Sequence, residues 1–201
     1  MIAERDLRLT HLIASAVLSY PDEELLERLP ALRAAAATLP APLGEPLGGT
    51  LSYLDSVALA TAEAHYVETF DLRRRCCLYL SYYTHGDTRM RGLALLRFRR
   101  SYQAAGLRVT PDELPDHLAV VLEFSAAGQV APATRLLIEH RPGLELLWRA
   151  LAELGSPYSY AVRAVRASLP PPGPDDLAAA GRLAAEGPPT EQVGIPVGER
   201  S

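Results

Sequence analysis

Apolar residues recur at helical spacing in nearly every long segment of this chain, and the alternation of a half-buried strand is nearly absent. Leu7, Leu9, Leu12, Ile13, Ala16 and Val17 put an apolar band on a first helix that ends near Tyr20. Leu51, Leu54, Ala58, Ala62 and Tyr66 do the same along a second, longer helix, predicted over residues 51–70. Stripes of this kind must be covered by other helices. The spacing therefore predicts an all-α fold, an irregular multi-helix bundle rather than a symmetric four-helix one.

Proline and glycine set the expected boundaries. Pro21 suits the first turn of a helix, with Asp22, Glu23 and Glu24 at its positive end. Pro30 is expected to break that helix, and "PAPLGEPLGGT" (residues 40–50) reads as a loop. "LRRRCCLYLSYY" (72–83) reads as a buried helix ended by "HGD", after which Asp87 or Thr88 can cap the next helix and Gly106 can end it. Further helices are predicted over 115–127, 132–140, 143–154 and 157–169. Residues 1–170 then form one helical domain, and 171–201 a proline-rich linker, a short helix and a mobile tail.

The balance of 48% hydrophobic and 22% charged residues over 201 positions is that of one globular domain. A net charge of −4 argues against a nucleic-acid partner, since neutralising phosphates requires a basic surface. All 20 basic residues are arginine. No stretch reaches the roughly 20 apolar residues needed to span a bilayer. Acids interrupt the N-terminal segment, which favours an amphipathic helix over a signal peptide. The adjacent Cys76 and Cys77 are expected to be reduced thiols of a cytosolic protein.

The densest chemistry lies in "TPDELPDHLAVVLEF" (110–124). Thr110, Pro111 and Glu113 fit a capping box, and Asp116 falls in the first turn of the helix expected to start at Pro115. Structural roles alone can explain these residues. His117 lies at the border of the apolar face beside Val121 and Phe124, while Asp116 and Glu123 point the other way. A charged imidazole is unfavourable near a helix N-terminus, so His117 is expected to be neutral and hydrogen-bonded. Neighbouring helical positions diverge by about 100°, which makes Asp116 and His117 a poor acid–base pair. A metal-dependent hydrolase using His117 and nearby carboxylates is the alternative, but the five histidines show no HxxxH or HExxH spacing.

Gly92 sits inside a predicted helix, where it costs about 1 kcal/mol relative to alanine, so another backbone or a ligand is expected against it. Arg97 shares a helical sector with Met90, Ala94 and Ser101 and must snorkel outward or find a carboxylate.

"YVETFD" (66–71), "HGDTRMRG" (85–92), "YQAAGL" (102–107) and "ELPDHLAVVLEF" (113–124) follow one another in order and at close spacing. Together they resemble the NarJ family, the nitrate reductase delta-subunit or molybdenum-cofactor assembly chaperones, within the TorD-like group. The resemblance implies an all-helical cytoplasmic chaperone with no enzymatic activity and no permanently bound cofactor. It implies that such a protein binds the N-terminal segment of the apo catalytic subunit of a respiratory nitrate reductase and assists molybdenum cofactor loading before membrane attachment. Carried onto the matching positions, it implies a partner-peptide role for Tyr66, Phe70, Asp71, Glu113, Leu114, Pro115, Asp116 and His117, with Arg89, Arg91 and Gly92 supporting them. A basic partner segment would favour a carboxylate rim, for which Asp71, Glu113, Asp116 and Glu123 are candidates.

Overall fold

The computed structural model describes residues 2–86, 88–108, 110 and 113–187. Within them run α1 (Glu4–Leu18), α2 (Glu23–Ala36), α3 (Ala41–Ser56), α4 (Leu59–Tyr66), a π-helical turn (Val67–Asp71), a 3-10 turn (Arg74–Cys76), α5 (Leu80–His85) and α6 (Arg89–Ala104). After these come α7 (Leu118–Ala126), α8 (Val130–Glu139), α9 (Arg141–Glu153), α10 (Tyr158–Ser168) and α11 (Pro174–Glu186). The fold is an irregular all-α bundle. Its extended pairing among the described residues is a single antiparallel bridge, Tyr79 with His117.

Helix α1 lies against α7 and α10, and α10 in turn crosses α3 and packs on α9. Ile13 and Val17 of the predicted band are fully buried, joined by Ala14 and Leu18, while Leu7, Leu9 and Ala16 are half-buried and Leu12 is 41% exposed, so the buried face is rotated from the expected one. One polar knot crosses the same layer. Buried His11 on α1 meets Ser125 Oγ of α7 at 2.7 Å and Ser168 Oγ of α10 at 2.8 Å. Ser168 already donates to the Val165 carbonyl at 2.6 Å, so it accepts from His11 Nε2–H, and Nδ1 accepts from Ser125. Burial lowers the His11 pKa to about 4, which keeps the ring neutral.

Several boundaries differ from expectation, each for a packing reason. Pro21 precedes α2, and Asp22 is the N-cap, its carboxylate accepting from Leu25 N at 2.7 Å. Pro30 lies within α2 instead of ending it. Pro30 is exposed, and the carbonyl left without a helical donor is that of the half-buried Leu26. The expected loop at 40–50 is the first half of α3. Two of its three glycines are in close contact: a Cβ on Gly44 would come within 2.4 Å of the Ala36 carbonyl oxygen, and one on Gly49 within 2.8 Å of the Tyr160 ring, whereas Gly48 faces open space. The helix predicted over 51–70 is three elements, with an extended break at Val57 and Ala58 and the π-turn at its end. Residues 72–83 form the 3-10 turn, an extended stretch and the start of α5, not one helix.

Gly106, with φ of +73°, ends the turn after α6 as expected, and Leu107 N donates back to the Tyr102 carbonyl. Thr88 precedes α6 but gives its hydroxyl to the His85 carbonyl rather than to a helical N–H. Asp87, Pro111 and Asp112 lie outside the described residues, as does the expected tail from 188 onward. Helix α11 packs on α9 through buried Ala180, with Asp176 3.8 Å from the buried Arg141. No helix among the described residues is long and apolar enough to cross a membrane.

Candidate functional site: the junction of α5, α6 and α7

The bridge between Tyr79 and His117 brings the segment before α5 against the segment before α7. Leu80 N donates to the Asp116 carbonyl at 3.0 Å, and Leu118 N to the Leu78 carbonyl at 2.9 Å. This pairing draws Asp116 inward to the start of α5. Asp116 is fully buried, and its Oδ2 accepts from Ser81 N at 3.2 Å and Ser81 Oγ at 2.5 Å. It therefore caps a helix other than the one it precedes, satisfying an orphan N–H at the positive end of α5. Arg91, from the first turn of α6, places its guanidinium 3.5 Å from the same oxygen and donates from Nε to Ser81 Oγ at 3.3 Å. The arginine also lies over the Tyr79 ring, 5.4 Å from its centroid. Asp116, Ser81 and Arg91 thus fasten three elements together. The expectation that Asp116 lies in a first helical turn and points outward is corrected: the turn does not form, because the residue's backbone is paired with Leu80.

His117 is the N-cap of α7, its Nδ1 accepting from Ala119 N at 3.3 Å. Its ring packs edge-on to Tyr79 with centroids 5.3 Å apart. Burial lowers its pKa, while Asp116, Glu113 and Asp71 pull weakly the other way. The neutral, hydrogen-bonded histidine expected from the sequence is what the fold contains. Asp116 and His117 serve separate partners, so no reacting atom sits between them. Among the described residues no group of three or more His, Cys, Asp or Glu is arranged to hold a metal.

The remaining predicted residues divide by burial. Tyr66 and Phe70 are core residues: the Tyr66 hydroxyl donates to the Leu18 carbonyl at 3.1 Å, and both rings pack against buried Tyr158. Burial raises the Tyr66 pKa, so the phenol stays protonated. Pro115 is also buried and accepts from the Tyr102 hydroxyl at 2.6 Å. Asp71, Glu113 and Leu114 are exposed. Thr110 Oγ1 donates to the Glu113 carboxylate at 2.9 Å, although no helix follows them directly. Arg89 opens α6. Gly92 faces open space, with nothing within 4 Å of a built Cβ, so the backbone expected against it is not among the described residues. Arg97 has found its carboxylate, Glu139, at 2.7 Å.

Beside this junction lies a trough of about 220 Å³ between the C-terminal end of α6 and the outer side of α7. Tyr102, Leu107, Val120 and Phe124 form its apolar walls, and Glu113 and Glu123 stand in its lining together with Arg108. A volume this small admits one or two anchoring side chains rather than a whole ligand, since ligand sites run to roughly 300–1,000 Å³. Glu123 also lines a second hollow of about 220 Å³ with Tyr20, Asp22 and Glu24. Acids therefore outnumber bases on both sides of α7, where the bases are Arg108 in the first hollow and Arg28, paired with Glu24, in the second. The sequence pointed to Glu113 and Glu123, while Leu107 and Val120 carried no signal, because their common wall exists only once α6 and α7 meet.

The family model described as nitrate reductase delta subunit matches residues 36–162. The nitrate reductase-like protein NarX of Mycobacterium tuberculosis is 40% identical over 152 residues, which is 76% of this chain but 23% of NarX. Bacillus subtilis NarJ, which bears the name of a nitrate reductase molybdenum cofactor assembly chaperone, is 32% identical over 168 residues, covering 82% of this chain and 90% of that protein. The crystal structure of an Archaeoglobus fulgidus protein assigned to redox enzyme maturation superposes with a TM-score of 0.58 at 28% identity, covering 80% of this chain and 91% of the other. The chain belongs to the nitrate reductase delta subunit family, the one that its four motifs resemble.

Proposed function

We propose that this protein is a cytoplasmic assembly chaperone that binds the apo catalytic subunit of a respiratory nitrate reductase through its N-terminal segment. It holds that subunit open while the molybdenum cofactor, its partner's cargo, is inserted, and releases it before membrane attachment. The observation that carries this reading is the match to the delta subunit family over residues 36–162, joined to NarJ likeness along 90% of that relative. The acid-edged trough supports it: an amphipathic segment seats apolar side chains in such a groove, and a carboxylate rim suits a basic one.

In this reading Asp71, Glu113, Leu114 and His117 face the partner. Tyr66, Phe70, Pro115 and Asp116 shape the surface from below, and Arg89, Arg91 and Gly92 support the junction. No catalysis is involved. Preferential binding of the unfinished subunit raises its population by mass action until cofactor loading removes the recognised conformation. Calorimetry with a peptide copied from the N-terminus of the catalytic subunit tests this. Saturable one-to-one binding that weakens with salt is expected, and an absence of heat at high protein concentration overturns it.

A further inference from the structure

A hollow of about 540 Å³ opens between the 3-10 turn, α5, α9 and α11, and it shares no lining residue with the trough beside α7. Its charge runs against that of the chain. Arg74 of the 3-10 turn and Arg149 of α9 line it, both are exposed, and neither has an acidic partner among the described residues. Nearby arginines are engaged: Arg73 with Glu68 at 2.5 Å, Arg75 with Glu153, and Arg166 with Glu145 at 2.5 Å. Once Glu153 has neutralised Arg75, two uncompensated guanidinium groups remain at this hollow in a protein of net charge −4.

The rest of the lining is largely apolar or aromatic. Tyr83 is fixed: its hydroxyl donates to the Cys77 carbonyl at 2.9 Å, and Gly143 lies so close that a Cβ there would be 2.8 Å from the ring. Half-buried Tyr82 packs at an angle of 73° to it, with centroids 6.0 Å apart. Leu146 and Leu183 complete the wall. The volume falls within the roughly 300–1,000 Å³ of small-molecule sites, and an apolar pocket with a few polar groups is their usual form. Guanidinium forks match phosphate oxygens in pairs, and tyrosine faces accept planar rings.

We propose that this hollow binds a small organic anion, a planar heteroaromatic ring carrying a phosphate, with the ring against Tyr82 and the phosphate held by Arg74 and Arg149. This goes beyond the chaperone reading, which needs only a protein partner, and it stands or falls separately from it.

The test is titration of the full chain with adenosine 5′-monophosphate, adenosine and inorganic phosphate at low salt. Submillimolar binding of the monophosphate is expected, with each half of it about tenfold weaker or more. Arg74→Ala and Arg149→Ala should each weaken the monophosphate by roughly tenfold, the scale of one charge-assisted contact. Arg135→Ala, an exposed arginine on α8 outside this hollow, should leave it unchanged. Melting curves of the variants verify folding, and Arg149→Lys should restore part of the affinity. No binding at millimolar monophosphate overturns the proposal. So does phosphate binding as tightly as the nucleotide, or an Arg135→Ala loss equal to that of Arg149→Ala.

Discussion

Helices α6 and α7 form the two walls of one trough, yet they are built in opposite ways. In α7, Leu118, Val121 and Leu122 are fully buried, and Ser15 of α1 donates to the Ala119 carbonyl at 2.8 Å. In α6 only Ala94, Phe98 and Tyr102 are buried, while Met90, Leu93 and Leu96 stand 57%, 58% and 44% exposed. One helix spends its apolar side chains on its own core, and the other leaves a row of them to solvent. The exposed row lies outside the trough, whose α6 wall is the buried Tyr102, so the loosely covered stretch of α6 can move without disturbing the core or the trough, since low local packing is where proteins move.

The contrast can be broken most directly where the two walls are fastened. Asp116→Ala removes the carboxylate that caps α5 and faces Arg91, and should cost about 3–5 kcal/mol, the range for breaking a buried pair, read as a lower denaturation midpoint. Leu122→Ala in α7 should cost roughly 2–5 kcal/mol as a cavity in the core. Leu93→Ala on exposed α6 should stay within about 0.5 kcal/mol of the parent in stability.

A pH titration separates the core from the trough in another way. His11 titrates at its ordinary 6.5 when unfolded and at about 4 when folded. Between those values the unfolded chain holds more protons, so stability falls as pH drops from about 6.5 toward 4, by up to about 3 kcal/mol. His11→Gln should flatten that slope in melting curves recorded across the window. At the rim, Glu123→Gln should leave the melting temperature alone and weaken a basic peptide by a few-fold at low salt, a difference that high salt erases.

Much of the helical plan was legible because periodicity is a local property. The helical periodicity of α1 and the ending of α6 at Gly106 followed from neighbours along the chain, whereas the lowered pKa of His117 comes from its burial in the folded chain. The structure departs from the sequence pattern mostly at proline and glycine. Pro30, Gly44 and Gly49 signal a break in an isolated chain, yet Pro30 is accommodated on the exposed side of α2, and close neighbours hold Gly44 and Gly49 in α3. Val57 and Ala58, by contrast, break a pattern that looked continuous.

Of the candidate site, the sequence could name residues but not their depth. Asp71, Glu113 and Leu114 lie at the surface, whereas Tyr66, Phe70, Pro115 and Asp116 are inside. The four motifs were enough to indicate the family, and apolar spacing was enough to dictate helices, because both are written in the order of residues. Which acid faces water and which caps a distant helix was decided only when Leu80 paired with Asp116 across 36 positions of chain. A hydrogen bond between remote backbones fixes burial, and burial fixes the work a carboxylate can do.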